Sequence, residues 1–294
     1  MPENLDSSKC TLNLRELIQA YEGQSAVVPT LDVEKNQNDL KTIDVDINRN
    51  FPFYVHMTDD EKQLFRNELK KTLLRLPVSY VQSMCDIVAV LMYFYYAEMR
   101  NGSSLVSLAE RENTASAIDT SESGGLYDEE TYERMFKIIY NILKEKYVPL
   151  IDDQFKMYLE NNDIFIKMMK QRGVEIPSSK SLIYTNSTLT WFSRSMDSMN
   201  DIYKMFALII SCPTSIVFLL LVHYFDFIEN KKMIKMDDND IMPKIIKLEK
   251  EFLKLQEEQD TSKPKMSKKA IIYGVVTGAV VAGAVLFGIF KKYK

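Results

Sequence analysis

Cysteine is scarce in this 294-residue chain: Cys10, Cys85 and Cys212 are far apart and odd in number. Such a set builds neither a disulfide framework nor a metal-ligand cluster, and it suits a reducing compartment. Only two histidines occur, His56 and His223, too few donors for a zinc site of His and Cys. Glycine and proline are few, nine of each, which argues against a disordered or low-complexity chain. Neither charge sign dominates: 37 basic residues face 41 acidic ones, for a net charge of -4. Nothing at that level attracts a polyanion, so nucleic-acid binding has no support. The start, MPENLDSSKC, lacks the basic residues and apolar run of a secretory signal, and the N-terminus is expected to stay in the cytosol. No nucleophile–base pair, metal cluster or phosphate-cradling glycine loop marks an autonomous active site.

What is present is a core. Hydrophobic residues make up 46% of the chain and aromatics 11%, enough to bury a substantial interior. A charge-free stretch runs from Ala270 to Phe290, AIIYGVVTGAVVAGAVLFGIF, with lysines on both sides. A helix needs about 20 apolar residues to cross a bilayer, so this stretch reads as a single transmembrane helix with a basic tail, 291–294. The alternative is a buried core helix. Gly274 and Gly278, Ala279 and Gly283, and Ala284 and Gly288 are spaced as on a helix-pairing face, though membrane helices are generally rich in such residues. A second apolar run, Met205 to Val222, contains Pro213, Thr214 and Ser215 near its middle. It reads as two core helices or one broken helix, because proline interrupts a helix interior. A second membrane crossing is the alternative by length alone.

The rest reads as helical. Thr58-Asp-Asp-Glu61 is a capping box, followed by Phe65, Leu69, Leu73, Leu74 and Leu76 at helical spacing. Val81–Met99 is a long apolar helix, and Tyr132–Leu143 and Asp152–Met169 show apolar positions every three or four residues. Residues 101–126 are a polar loop or insertion, and Asp237–Asp240 is a turn. Ile245, Leu248, Phe252 and Leu255 form a heptad seam too short for a stable coiled coil. Cys85, His223 and Trp191 read as core, and Lys231 and Lys232 as a solvated face.

Two short motifs carry chemistry. Ile43-Asp44-Val45-Asp46-Ile47-Asn48-Arg49 has the form IxxDxxR and leads into Asn50-Phe51-Pro52. Tyr80-Val81-Gln82 opens the long apolar helix. Each alone is weak: an Asp and an Arg three apart are usually a surface ion pair worth a few tenths of a kcal/mol. Their order, with a capped helix between them, resembles the dual-finger signature of TBC-domain Rab GTPase-activating proteins. DINRNFP at 46–52 resembles that family's D-x-x-R-[ST]-F-P run, and YVQSMCDI at 80–87 resembles its Y-x-Q-G-x-x-D-I run. Leu189-Thr-Trp-Phe192, followed by Asp201–Ile210, resembles its later block. Two positions depart from the pattern: Ser83 stands for the usual Gly, and Asn50 for the usual Ser or Thr.

The resemblance covers about residues 38–228 and implies an all-α domain with a C-terminal transmembrane helix. An N-terminal segment (1–37) precedes the domain, and an amphipathic helix and linker (229–269) follow it. The implied activity is stimulation of GTP hydrolysis by a Rab-family GTPase in its GTP form. The chain would be an activator that supplies residues in trans, with no cofactor of its own, since GTP and Mg²⁺ belong to the partner. Arg49 and Gln82 are the implied catalytic residues. A guanidinium is always charged and offers a planar fork to the oxygens where charge builds, and in trans it is worth roughly 10³–10⁵ in rate. By resemblance, Gln82 holds the attacking water in place of the GTPase's own glutamine. Asp46, one turn before Arg49, is placed to orient the guanidinium. Ile43 would anchor that segment, Tyr80 would fix the entry to the glutamine, and Asp86, one turn after Gln82, would cap or orient it. The tail narrows the resemblance to the small tail-anchored branch, which implies the endoplasmic reticulum membrane and traffic to the Golgi; a peroxisomal or mitochondrial outer membrane suits the basic tail equally. The rival readings are a non-catalytic membrane-anchored Rab-binding protein and a SNARE-type tether.

Overall fold

The computed structural model describes residues 11–24, 39–49, 57–100, 125–236 and 241–262. All regular structure among them is helical. The chain divides into two compact units, Met1–Lys250 and Glu251–Lys294. The first carries every residue of the motifs above.

Helix α1, Leu14–Glu22, starts where the Asn13 side chain accepts from the backbone amides of Arg15 and Glu16. It buries Leu14, Ile18 and Tyr21 against α5 and α8. Helix α2, Leu40–Arg49, ends on the arginine of the first motif. Helix α3, Asp59–Arg75, opens with the expected capping box: Glu61 N–H donates to the Thr58 hydroxyl, and Thr58 N–H donates to the Glu61 carboxylate. It stops at Leu76, which precedes Pro77 and takes an extended backbone, as the residue before proline must.

Helix α4, Gln82–Arg100, is the centre of the first unit. Every residue from Ser83 to Tyr96 is buried, a helix apolar all round and therefore enclosed on all sides. Around it pack α2, α3, α5 (Glu129–Ile142) and α7 (Ser181–Leu189). Between α5 and α6 (Val148–Gln171) lies a π-helical turn, Leu143–Tyr147. Within α6 the backbone leaves helical geometry at Asp152 and is left-handed at Asp153, Gln154 and Phe155. The helix expected from Asp152 thus begins at an interruption.

The run Met205–Val222 belongs to two buried helices, α8 (Met199–Ser211) and α9 (Ile216–His223), separated at Pro213. Helix α10, Phe225–Glu229, and α11, Ile241–Ser262, follow. Cys85 and Trp191 are core, and Lys231 and Lys232 are exposed. His223, expected in the core, is only half-buried, its ring edge-on to Tyr224. Among the described residues no helix is long and apolar enough to cross a membrane. The stretch from Ala270 to Phe290, the turn at Asp237–Asp240, Asn50 and residues 101–124 of the polar insertion lie outside the described residues.

Candidate functional site: two exposed side chains over a buried acidic pair

On α2 the spacing of Ile43, Asp46 and Ile47 turns one face inward, and all three are buried. Val45 and Arg49 remain outside and exposed. Ile43 anchors the helix at 1% exposure, while Arg49 leaves its last turn free to meet a partner. Gln82 is the first residue of α4 and is exposed, whereas Ser83 directly after it is buried.

Tyr80 ties the two segments together. Its hydroxyl donates to Asp46 Oδ2 at 2.8 Å and lies 3.4 Å from the Gln82 carbonyl oxygen. Its backbone N–H donates to Asp39 Oδ2 at 3.3 Å, beside the start of α2. The Gln82 side chain lies close enough to the Asp46 carboxylate to favour its charged form. Asp46 therefore accepts from the motif that carries the glutamine. The expected Asp46–Arg49 hydrogen bond does not form; the Arg49 guanidinium acts on Asp46 through its charge. Burial pushes the Asp46 carboxyl above its usual range, against the lowering pull of Tyr80, Arg49, Arg194 and Gln82.

Asp86 does not cap the glutamine loop. It is buried and receives the Arg194 side chain through two nitrogens, Nε at 2.9 Å and Nη2 at 2.8 Å. Burial raises its carboxyl too, and the nearby charge of Asp46 adds to the rise. Arg194 was missed by sequence reasoning. The available signal was its place two residues after the Trp191-Phe192 pair, a lone charge in TWFSRSM.

That charge is delivered by an unusual turn. Trp191 and Phe192 are consecutive non-glycine residues with positive φ, 49° and 60°. Each such residue costs roughly 1–3 kcal/mol and persists only where its surroundings over-determine it. The surroundings are Tyr147, edge-on to Trp191 at 6.4 Å, and Phe206, edge-on at 5.1 Å. Phe192 N–H donates to the Ser187 carbonyl at 2.8 Å, and the short 3₁₀ turn Ser193–Ser195 follows.

Ser83 is accommodated rather than obstructive. Its hydroxyl makes a buried hydrogen bond with the Tyr147 hydroxyl. Tyr147 closes the π-helical turn, and such wide turns recur at functional sites.

Through Tyr80, the buried Asp46 thus links the segment that carries the exposed Arg49 to the one that carries the exposed Gln82.

Residues 6–198, more than half of the chain, match the Rab-GTPase-TBC domain, and the chain belongs to that family. The match begins before α1, so the N-terminal helix falls within the matched region. The chain is also similar to an uncharacterized membrane protein of Encephalitozoon cuniculi, with 26% identity over 306 residues that cover 96% of this chain and 99% of that protein.

Proposed function

We propose that the chain stimulates GTP hydrolysis by a Rab GTPase through Arg49 and Gln82, acting from the cytosolic face of a membrane that it enters through residues 270–290. The observation that carries this reading is the exposure of Arg49 and Gln82 on two segments joined by the Tyr80–Asp46 hydrogen bond. An exposed arginine without a side-chain bond to Asp46 is available to an incoming γ-phosphate. An exposed glutamine two residues after the tethered Tyr80 presents a donor and an acceptor for the attacking water. The nucleotide and its Mg²⁺ arrive with the GTPase, so the chain needs no cofactor.

Membrane attachment is supported by the length and flanking lysines of the C-terminal stretch and by the similarity to a membrane protein of Encephalitozoon cuniculi. The endoplasmic reticulum and traffic to the Golgi are the narrower proposal. The binding-only alternative rested on Ser83, and its bond to Tyr147 supplies a place for that hydroxyl within the fold.

Single-turnover hydrolysis by a panel of GTP-loaded Rabs tests the reading, using the full chain in detergent micelles with and without Arg49→Ala. Acceleration of one or two Rabs by about 10³-fold or more, lost in the variant, is the expected result. A folded chain that binds a Rab and leaves its hydrolysis rate unchanged would establish the binding-only alternative.

A further inference from the structure

We infer that Arg194 is a positioning residue for the finger pair: by gripping Asp86 beside Asp46, it fixes the start of α4, and with it Gln82, against α2 and Arg49. The inference rests on the reading of Arg49 and Gln82 as fingers.

Asp86 stands one helical turn after Gln82, and Asp46 stands one turn before Arg49. Each acid therefore lies beneath one finger. Both are buried, at 4% and 3% exposure, and Asp86 feels the charge of Asp46. Two buried carboxylates at close quarters repel; unless a cation joins them, one takes up a proton or the segments part. Arg194 is that cation. It comes from 108 residues beyond Asp86, grips Asp86 with two nitrogens and acts on Asp46 through space.

A guanidinium fork suits this task as no other side chain does, because its two parallel donors fix direction as well as distance. The turn that presents it is strained and buried around Trp191 and Phe192, so the fold holds this arginine in place from a rigid support. The Trp-Phe block thus has a purpose beyond filling the core: it carries a charge to the underside of both fingers.

The test uses the full chain with Arg194→Met, Arg194→Lys and Asp86→Asn. The maximal single-turnover rate and the half-saturating concentration are measured on the Rab that the native chain accelerates. Arg194→Met is expected to lower the maximal rate about tenfold or more, as a small misplacement of a catalytic group does, while the half-saturating concentration changes by about twofold or less. Arg194→Lys keeps the charge without the fork and should recover part of the rate. Asp86→Asn keeps one acceptor and should lose less than Arg194→Met. A native maximal rate in Arg194→Met overturns the inference. If that variant lacks a cooperative melt, native rates in both Arg194→Lys and Asp86→Asn overturn it instead.

Amide hydrogen exchange gives a second readout that needs no GTPase. Faster exchange at residues 80–86 in Arg194→Met, with residues 87–96 still protected, is expected; unchanged exchange at 80–86 overturns the inference. If the native chain accelerates no Rab, the finger reading fails, and the exchange result alone decides for or against Arg194.

Discussion

The Arg194 guanidinium and the Asp86 carboxylate face each other through two nitrogen–oxygen contacts of 2.9 and 2.8 Å, joining a 3₁₀ turn to the first turn of the central helix. The acid is almost wholly enclosed, while the base keeps 40% of its side chain in solvent.

This asymmetry fixes the stability cost of breaking the pair. Arg194→Met strands a buried carboxylate and should cost about 2 kcal/mol, below the 3–5 kcal/mol of a fully buried pair because solvent reaches one partner. Adding Asp86→Asn should restore most of that loss. Urea denaturation of the two single variants and the double variant measures the coupling, and strictly additive effects would refute it.

The buried hydroxyl pair of Ser83 and Tyr147 gives a second cycle. Ser83→Ala leaves the Tyr147 hydroxyl without this partner in a buried place and should cost about 1–3 kcal/mol. Tyr147→Phe should cost a similar amount, and the double variant should be close to native, since both polar groups are then gone. A double variant as unstable as the sum of the singles would show that the hydroxyls do not serve each other.

Acidification should silence activity before it melts the fold. Burial holds the Asp46 and Asp86 carboxyls above the usual range. Their folded forms therefore take up protons more readily than their unfolded forms. Their contribution to stability is full below the unfolded carboxylate pKa and is lost as pH rises through the folded values. Glu61, held low by the Tyr96 hydroxyl, and Glu133, held low by Arg75, behave oppositely: their contribution is lost as pH falls through their folded values. A protonated Asp46 no longer serves as a charged acceptor for Tyr80. Stimulated hydrolysis, corrected for the Rab's own rate, should thus decline on acidification at a higher pH than the one at which the protein unfolds. A stimulated rate that stays level until the protein unfolds would remove Asp46 from the account.

Thr58→Ala removes the N-cap of α3 and should cost about 1 kcal/mol. Because α3 packs on both α2 and α4, the same variant reports whether the fingers depend on their scaffold. Thermal melting checks the first, and the maximal hydrolysis rate, expected near native at temperatures well below the melt, checks the second.

The parts of the fold written in local patterns were legible in the sequence. The Thr58–Glu61 box and the apolar length of α4 follow from spacing alone, while the anchoring of the first motif by Ile43 came with the family resemblance. The break at Pro213 follows from the absence of a proline N–H. Helix α1 was not read because three apolar positions, Leu14, Ile18 and Tyr21, make too short a stripe to stand out. The Arg194–Asp86 pair was invisible because no local period connects residues 108 positions apart. The Asp46–Arg49 spacing suggested a bond within one helix, but the tertiary fold gave that acid to Tyr80. The left-handed stretch at Asp153–Phe155 has no local sequence signal, since none of those residues is glycine.

The Ser83–Tyr147 bond also bears on the thermodynamics of encounter. A glycine after the glutamine would leave that turn many backbone states to lose, and some of that ordering would fall at the moment of docking. Here the serine limits those states in the free chain, and its hydroxyl moors the turn to the wide coil at Leu143–Tyr147. The backbone beside Gln82 is ordered while the chain folds, so less conformational entropy remains to be surrendered when a GTPase arrives.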